Sequence, residues 1–234
     1  MTASMRWFTR TGSMTADNRD VHACAERPEA ALYLIAGGSS SREHSGELAQ
    51  ALLLHLQAAF LQLPARELRD ADALAIVLVR LLADARRALR SDYPQAACSY
   101  LMLVLLPNIA LSVHEGDCCL GQLDNYGTIH WLTPPHCQAN WQGNLSHAEI
   151  AAAPSRHCLT RCFSARRPSE PQVERWSLAS NQHWLLASDG FWASLSAQAQ
   201  LAFLSDDESP VVLVNDDISC LLVSPAGTRA PIRY

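Results

Sequence analysis

"HWLLASDGFWASLS", His183 to Ser196, is an apolar run of strand length that meets an aspartate and a glycine and continues into an aromatic-rich segment. Such a run bounded by Asp-Gly reads as a buried strand that delivers Asp189 at its end, followed by a short helix beginning near "DGFWASL". Two further aspartates stand in the same setting, Asp20 in "NRDVHACAE" and Asp216 in "NDDISCLLV". Strand ends are where side chains from different strands can converge, and carboxylates held on rigid elements suit hard divalent cations such as Mg2+ or Mn2+. Taken singly, each Asp reads first as an ordinary turn residue. The surrounding chain has to decide.

Outward from this stretch, "AALYLIA" reads as a buried strand bounded by Gly37 and Gly38. Two helices follow it. In "GELAQALLLHLQAAFLQL" Leu48, Leu52, Leu56 and Phe60 recur every four positions, and in "DADALAIVLVRLLADARRALR" Leu74, Val77, Leu81 and Ala88 form the expected stripe. The period then shortens: "CSYLMLVLL", "IALSVHEGD", "CCLGQLD" and "TIHWLT" are strand-like segments separated by turn signals, which predicts an antiparallel meander. A helix-rich segment, "SHAEIAAAPSRHCLTRCF", a loop, "SARRPSEPQ", and the strands "VERWSL", "HWLLAS" and "ISCLLV" complete the chain. The order predicts an α+β layered architecture in one domain, residues 1–234.

Bulk properties narrow the function. The 234 residues are 49% hydrophobic and 18% charged, with a formal net charge of -5 and no block of like charges, so neither nucleic acid nor an anionic membrane is expected as a partner. The first twenty residues lack the apolar centre of a secretory signal, and "YLMLVLLPNIALSV" is interrupted by Pro107, which together give a cytoplasmic expectation. The eight cysteines contain no CxxC pair and read mainly as buried free thiols. In "HCLTRC", His157, Cys158 and Cys162 have the spacing of half a zinc site if the segment is helical, and the adjacent Cys118 and Cys119 form a vicinal pair open to oxidation.

The wording and order of five segments resemble the metal-dependent protein phosphatase family (PPM, the type 2C Ser/Thr phosphatases) along nearly the whole chain. Gly12 and "NRDV" resemble its opening Gly and Asn-(Glu/Gln)-Asp, and "LYLIAGGSSSREHSGELAQ" follows its Ala-Asp-Gly-Met-Gly-Gly loop and Gly-Glu helix start with one extra residue. "GDCC" and "LTPPHC" stand for Gly-Asp-Ser-Arg and Leu-Thr-x-Asp-His, and "LTRCFSA" for Leu-Thr-Arg-Ala-Leu-Gly. The most specific matches are "HWLLASDGFWASLS" and "DDISCLLV", the latter beside Asp-Asn-Ile-Thr-Val-Val-Val. The resemblance implies a four-layer α-β-β-α sandwich of two antiparallel sheets with a helix pair on each outer face.

It also implies which residues matter. Asp20, Asp189, Asp216 and the carbonyl of Gly38 match positions that hold Mg2+ or Mn2+, or closely support those that do. The family's aspartate that bridges both ions falls on Gly37. Thr15 occupies the place of the phosphate-binding Arg, Pro135 that of a further metal-site Asp, and Cys119 that of the hairpin Arg. Arg19 replaces the Glu or Gln beside Asp20, where it either repels cations or binds phosphate in place of the lost Arg. The expectation is therefore a catalytically impaired phosphatase, a pseudophosphatase with no assigned catalytic side chain. It binds a protein or phosphoprotein in bacterial kinase/phosphatase signalling, the partner being a Ser/Thr kinase or its substrate. The alternative is an active Mg2+/Mn2+-dependent Ser/Thr phosphatase in which Glu43 or Glu47 replaces the bridge. Asp117 and His136 read as turn and loop residues, and Trp184 and Trp192 as core.

Overall fold

The computed structural model describes residues 3–14, 16–179, 181–205, 214–225 and 227. Its strands form two antiparallel sheets. The first contains β1 (Ala3–Arg10), β6 (Cys119–Leu123), β7 (Ile129–Trp131), β10 (His183–Ala187) and β11 (Ile218–Pro225), in the order β1-β11-β10-β6-β7. The second runs β2 (Asp20–Glu26), β3 (Ala31–Gly38), β4 (Ala97–Leu105), β5 (Ile109–Glu115) and β9 (Gln172–Ser177), with the two-residue β8 (Phe163–Ser164) paired to β4.

Strand alternation explains how these sheets stack. In β3, Leu32, Leu34 and Ala36 face the helices while Ala31, Tyr33 and Ile35 face the other sheet; in β4, Tyr100, Met102 and Val104 oppose Leu101, Leu103 and Leu105 in the same way. From the first sheet Trp184, Leu186, Leu221 and Val223 enter the shared interior, whereas Leu185, Ala187, Cys220 and Leu222 face outward under a second set of helices. Strands buried on both faces need continuous apolar runs, and "LYLIA", "YLMLVL" and "WLLA" supply them. Trp184 and Trp192 are buried, as expected of large aromatics.

The helices α1 (Ser45–Leu61) and α2 (Ala71–Leu89) cover the second sheet. The α1 stripe Leu48, Leu52, Leu56 and Phe60 is buried. The buried stripe of α2 is rotated by part of a turn from the expected one: Leu74, Val77, Leu78, Leu82 and Ala85 are buried, Leu81 packs half-buried at its edge, and Ala88 is exposed. Asp70 caps α2 by accepting from the backbone N–H groups of Asp72 and Ala73.

The opposite face departs from the expected helix pair. Among the described residues it carries three short helices, α3 (His147–Ala152), α4 (Asp189–Trp192) and α5 (Ala197–Leu204), of 6, 4 and 8 residues. Pro154 and the turn it opens stop α3, and the chain then becomes extended at Cys158. Among the described residues, no helix is long and apolar enough to cross a membrane.

Candidate active-site cleft

The sheet register builds one wall of a cleft. Asp20, the first residue of β2, lies directly opposite Gly37, and Gly37 lies opposite Ser99 of β4. Ser99 Oγ donates to Asp117 Oδ1 at 2.7 Å and accepts from the Asp117 backbone N–H at 3.2 Å. The other wall comes from the first sheet. Asp189 begins α4 just past β10, and Asp216 precedes β11 by two residues. Ser188 binds these strand ends together, its backbone N–H donating to the Ser219 carbonyl at 3.0 Å and its Oγ accepting from the Ser219 N–H at 3.0 Å.

The cleft between the walls encloses about 460 Å³. Arg19, Asp20, Gly37, Gly38, Asp189 and Asp216 all line it, and so do Asp117 and Asp217. Reading Asp117 as only a turn residue therefore needs correction. Gly-Asp is a turn signal, and the hydrogen bond from Ser99 that turns this carboxylate into the cleft is a tertiary contact. The Nε1–H of Trp192 fixes the same hairpin by donating to the Asp117 carbonyl at 2.7 Å.

Two glycines allow close packing within each wall. A Cβ at Gly190 would lie 2.0 Å from the Asp217 carbonyl oxygen, and one at Gly38 would lie 2.5 Å from the Ser45 backbone. Gly37 differs in kind. A Cβ there would lie 2.8 Å from Asp20 Oδ1, with only the Asp20 carboxyl carbon also within 4 Å, so a side chain at this position would point at the Asp20 carboxylate.

Burial and mutual repulsion shape the acids. Burial chiefly raises the Asp20 pKa well above its ordinary value, the Ser188 and Ser219 hydroxyls pull it down, and Asp189 and Asp217 push it up. Burial and then Asp117 raise Asp189 to about 7, while Arg156 opposes them. Burial and then Asp189 raise Asp216 to about 6. Burial also raises Asp117, against the hydrogen bond from Ser99.

Raised carboxylate pKa values have a definite sign for stability. The fold binds these protons more tightly than the unfolded chain does, so their contribution is full below about 3.8 and is lost as pH rises, through about 6 for Asp216 and about 7 for Asp189. Metal-free protein should melt at a higher temperature at pH 5.5 than at pH 8, and Asp216→Asn should narrow the gap. Equal melting temperatures in calorimetry at the two pH values would contradict this.

Two residues that the sequence patterns do not single out, Arg156 and Asp217, complete the site. Arg156 Nη1 donates to Asp189 Oδ2 at 3.1 Å, and its Nη2 donates to Ser194 Oγ at 3.4 Å. Asp217 accepts from the backbone N–H groups of Gly12 and Arg19, both at 2.9 Å, and so ties the loop before β2 to the start of β11. Its position within "DDI" was a signal, whereas a lone Arg between Ser155 and His157 offered none.

Arg19 embraces the loop after β3. Its Nη1 donates to the carbonyls of Ser39 and Ser40 at 3.0 and 3.2 Å, and its Nε to Asp17 Oδ1 at 3.3 Å. Residues 37–42 of that loop line the cleft without supplying a carboxylate, and neither Glu43 nor Glu47 lines it. Glu47 is exposed and paired with His44. Thr15 lies outside the described residues.

His136 is buried, stacked on His114 at 4.6 Å and hydrogen-bonded to Gln172 at 2.9 Å, so it packs rather than faces the acids. The helical spacing expected of Cys158 and Cys162 is absent because the turn Pro154–His157 ends before them; Cys158 is exposed, while His157 and Cys162 reach the cleft. Cys118 and Cys119 are free and buried in different cores on either side of their strand. Among the described residues, no three His, Cys, Asp or Glu side chains are grouped closely enough to hold an ion as they stand. Asp20 Oδ2 is nevertheless buried without a hydrogen-bond partner among them.

No protein-family model and no curated protein sequence matches the chain. Solved structures do. The serine/threonine phosphatase of S. agalactiae superposes with a TM-score of 0.79 at 17% identity, over 96% of this chain and 100% of that one. The PPM Ser-Thr phosphatase MsPP from Mycobacterium smegmatis, solved in complex with cacodylate, gives 0.74 at 21% identity over 95% and 98%. This chain has the PPM phosphatase fold. PppA, described as a key regulatory component of T6SS in Pseudomonas aeruginosa, shares the PPM fold at a TM-score of 0.68 and 16% identity, over 96% and 98%.

Proposed function

We propose that this PPM-fold domain is a pseudophosphatase that binds a protein or phosphoprotein partner through the cleft, in cytoplasmic kinase/phosphatase signalling, and hydrolyses little or none of what it binds. One observation carries this reading. Position 37, directly across the ladder from Asp20 and with its Cβ direction aimed at that carboxylate, is glycine. The carboxylate that the resemblance leads one to expect as a bridge is thus absent from a position whose side chain would reach Asp20.

Two further features agree. The loop following Gly37 brings no replacement acid into the cleft, and Asp189 is already engaged by Arg156. A guanidinium beside an acid cluster relieves part of the repulsion that an ion would otherwise relieve, and it offers no open coordination position. The residues present therefore suit a two-ion Mg2+ or Mn2+ centre poorly, with Asp20, Gly38, Asp189 and Asp216 left as an incomplete set. Arg19 is proposed to face an incoming phosphate from the rim while its Nη1 holds the loop.

A second reading, a working Mg2+/Mn2+-dependent Ser/Thr phosphatase, draws on the unpartnered Asp20 Oδ2 and the raised acids around it, an arrangement that a cation would stabilise. Phosphate release from a phosphothreonine peptide and from p-nitrophenyl phosphate with added Mn2+ separates the two. The wild type is expected to match the protein-free background, as is Asp189→Ala. Mn2+-dependent turnover that Asp189→Ala abolishes would overturn the pseudophosphatase reading.

A further inference from the structure

A second concavity, of about 370 Å³, adjoins the acidic cleft and shares Arg42, Leu159 and Cys162 with it. Its character is opposite. Arg42, Arg161, Arg166 and Arg167 line it, against two carboxylates, Glu115 and Glu170. Glu115 forms no ion pair with these arginines among the described residues. It is buried and accepts from the Tyr100 hydroxyl at 3.1 Å, from the Glu170 backbone N–H at 2.7 Å and from the Ser169 hydroxyl. Among the described residues Arg161, Arg166 and Arg167 are exposed and make no ion pair, and the Arg42 guanidinium donates to the Gln95 carbonyl alone, at 3.3 Å. The loop that presents Arg166 and Arg167 is anchored from α2, where Arg86 donates to the carbonyls of Ser164 and Ala165 at 3.3 and 2.9 Å.

Four arginines around one hollow in a chain of net charge -5 are not a general basic surface. The chain contains no lysine, so each of its 18 basic side chains is an arginine. The planar guanidinium fork matches the oxygens of a phosphoryl group or a carboxylate two at a time. We propose that this annex is a metal-independent anion subsite for the partner peptide. It seats a phosphoryl group or a pair of carboxylates borne a few residues along the chain from the residue that enters the cleft. The inference rests on the reading that the partner is a phosphoprotein and adds to it a preference for acidic or doubly phosphorylated sequences.

Fluorescence anisotropy with labelled phosphothreonine peptides in EDTA tests it, the flanking residues being neutral, acidic or phosphorylated. Charge-assisted hydrogen bonds of this kind should tighten wild-type binding of the acidic and doubly phosphorylated peptides about tenfold or more over the neutral one. Arg161→Ala with Arg167→Ala should erase that preference, while the charge-matched control Arg66→Ala with Arg69→Ala should keep it. Whichever flank gains more identifies the natural anion. Wild-type binding that ignores the flank would overturn the annex and leave the cleft reading standing. Binding of no phosphopeptide at all would remove the cleft reading and the annex with it. Tighter binding of a labelled single-stranded RNA, lost in the same double variant, would overturn the peptide assignment in favour of nucleic acid.

Discussion

Gly37→Asp is expected to raise Mn2+-supported hydrolysis of p-nitrophenyl phosphate by at least about 10- to 100-fold over the wild type, the scale on which even residues that merely support metal ligands act. A Cβ at position 37 would stand 2.8 Å from Asp20 Oδ1 with only that carboxyl group nearby, so the new side chain needs only a rotation of Asp20, the end of a flexible chain, to be accepted. It would then place a second carboxylate beside the unpartnered Asp20 Oδ2. Without an ion the added charge should cost stability, since the cleft already holds acids whose pKa values are raised by burial and then by mutual repulsion. The variant should therefore melt lower than the wild type in EDTA and recover in Mn2+. Gly37→Ala introduces the same Cβ without the carboxylate and should show neither effect. Hydrolysis by Gly37→Asp no greater than by Gly37→Ala would refute the proposed role of this position.

The largest loss of stability outside the core is expected from Asp217→Ala. This buried carboxylate accepts from two backbone N–H groups, those of Gly12 and Arg19, and its removal leaves both donors to find other partners. Hydrogen bonds to a charged acceptor contribute about 1.5–3 kcal/mol each, which puts the loss at roughly 3–5 kcal/mol, or a fall of about 10 °C in melting temperature for a chain of this length. Asp217→Asn keeps one acceptor oxygen and should fall between the two. A shift of less than about 2 °C for Asp217→Ala would show that the clamp between the β2 loop and β11 is dispensable.

The fold was legible where strands are buried on both faces. "LYLIA", "YLMLVL" and "WLLA" carry unbroken apolar runs because helices lie on one side of each and a second sheet on the other. The edge strand β1 escaped notice for the converse reason: in "ASMRWFTR" only Phe8 is buried, so neither a run nor a clean alternation marks it. Helix α5 was missed too, since only Gln200 and Leu204 of its eight residues are buried. At the site, Asp20, Asp189 and Asp216 could be found because each borders a strand within a specific string of residues. The roles of Asp117 and Arg156 are set by Ser99 and Asp189, which lie 18 and 33 positions away, and no local pattern encodes such a meeting.

Calorimetric titration of Mn2+ into the metal-free wild type and Gly37→Asp, side by side at pH 7.5, tests most directly whether the metal centre is incomplete. Weak binding with no defined two-ion stoichiometry is expected in the wild type, and at least about tenfold tighter binding when the carboxylate at position 37 is supplied. Two tightly bound Mn2+ ions per wild-type chain, unaffected by Gly37→Asp, would contradict an incomplete centre.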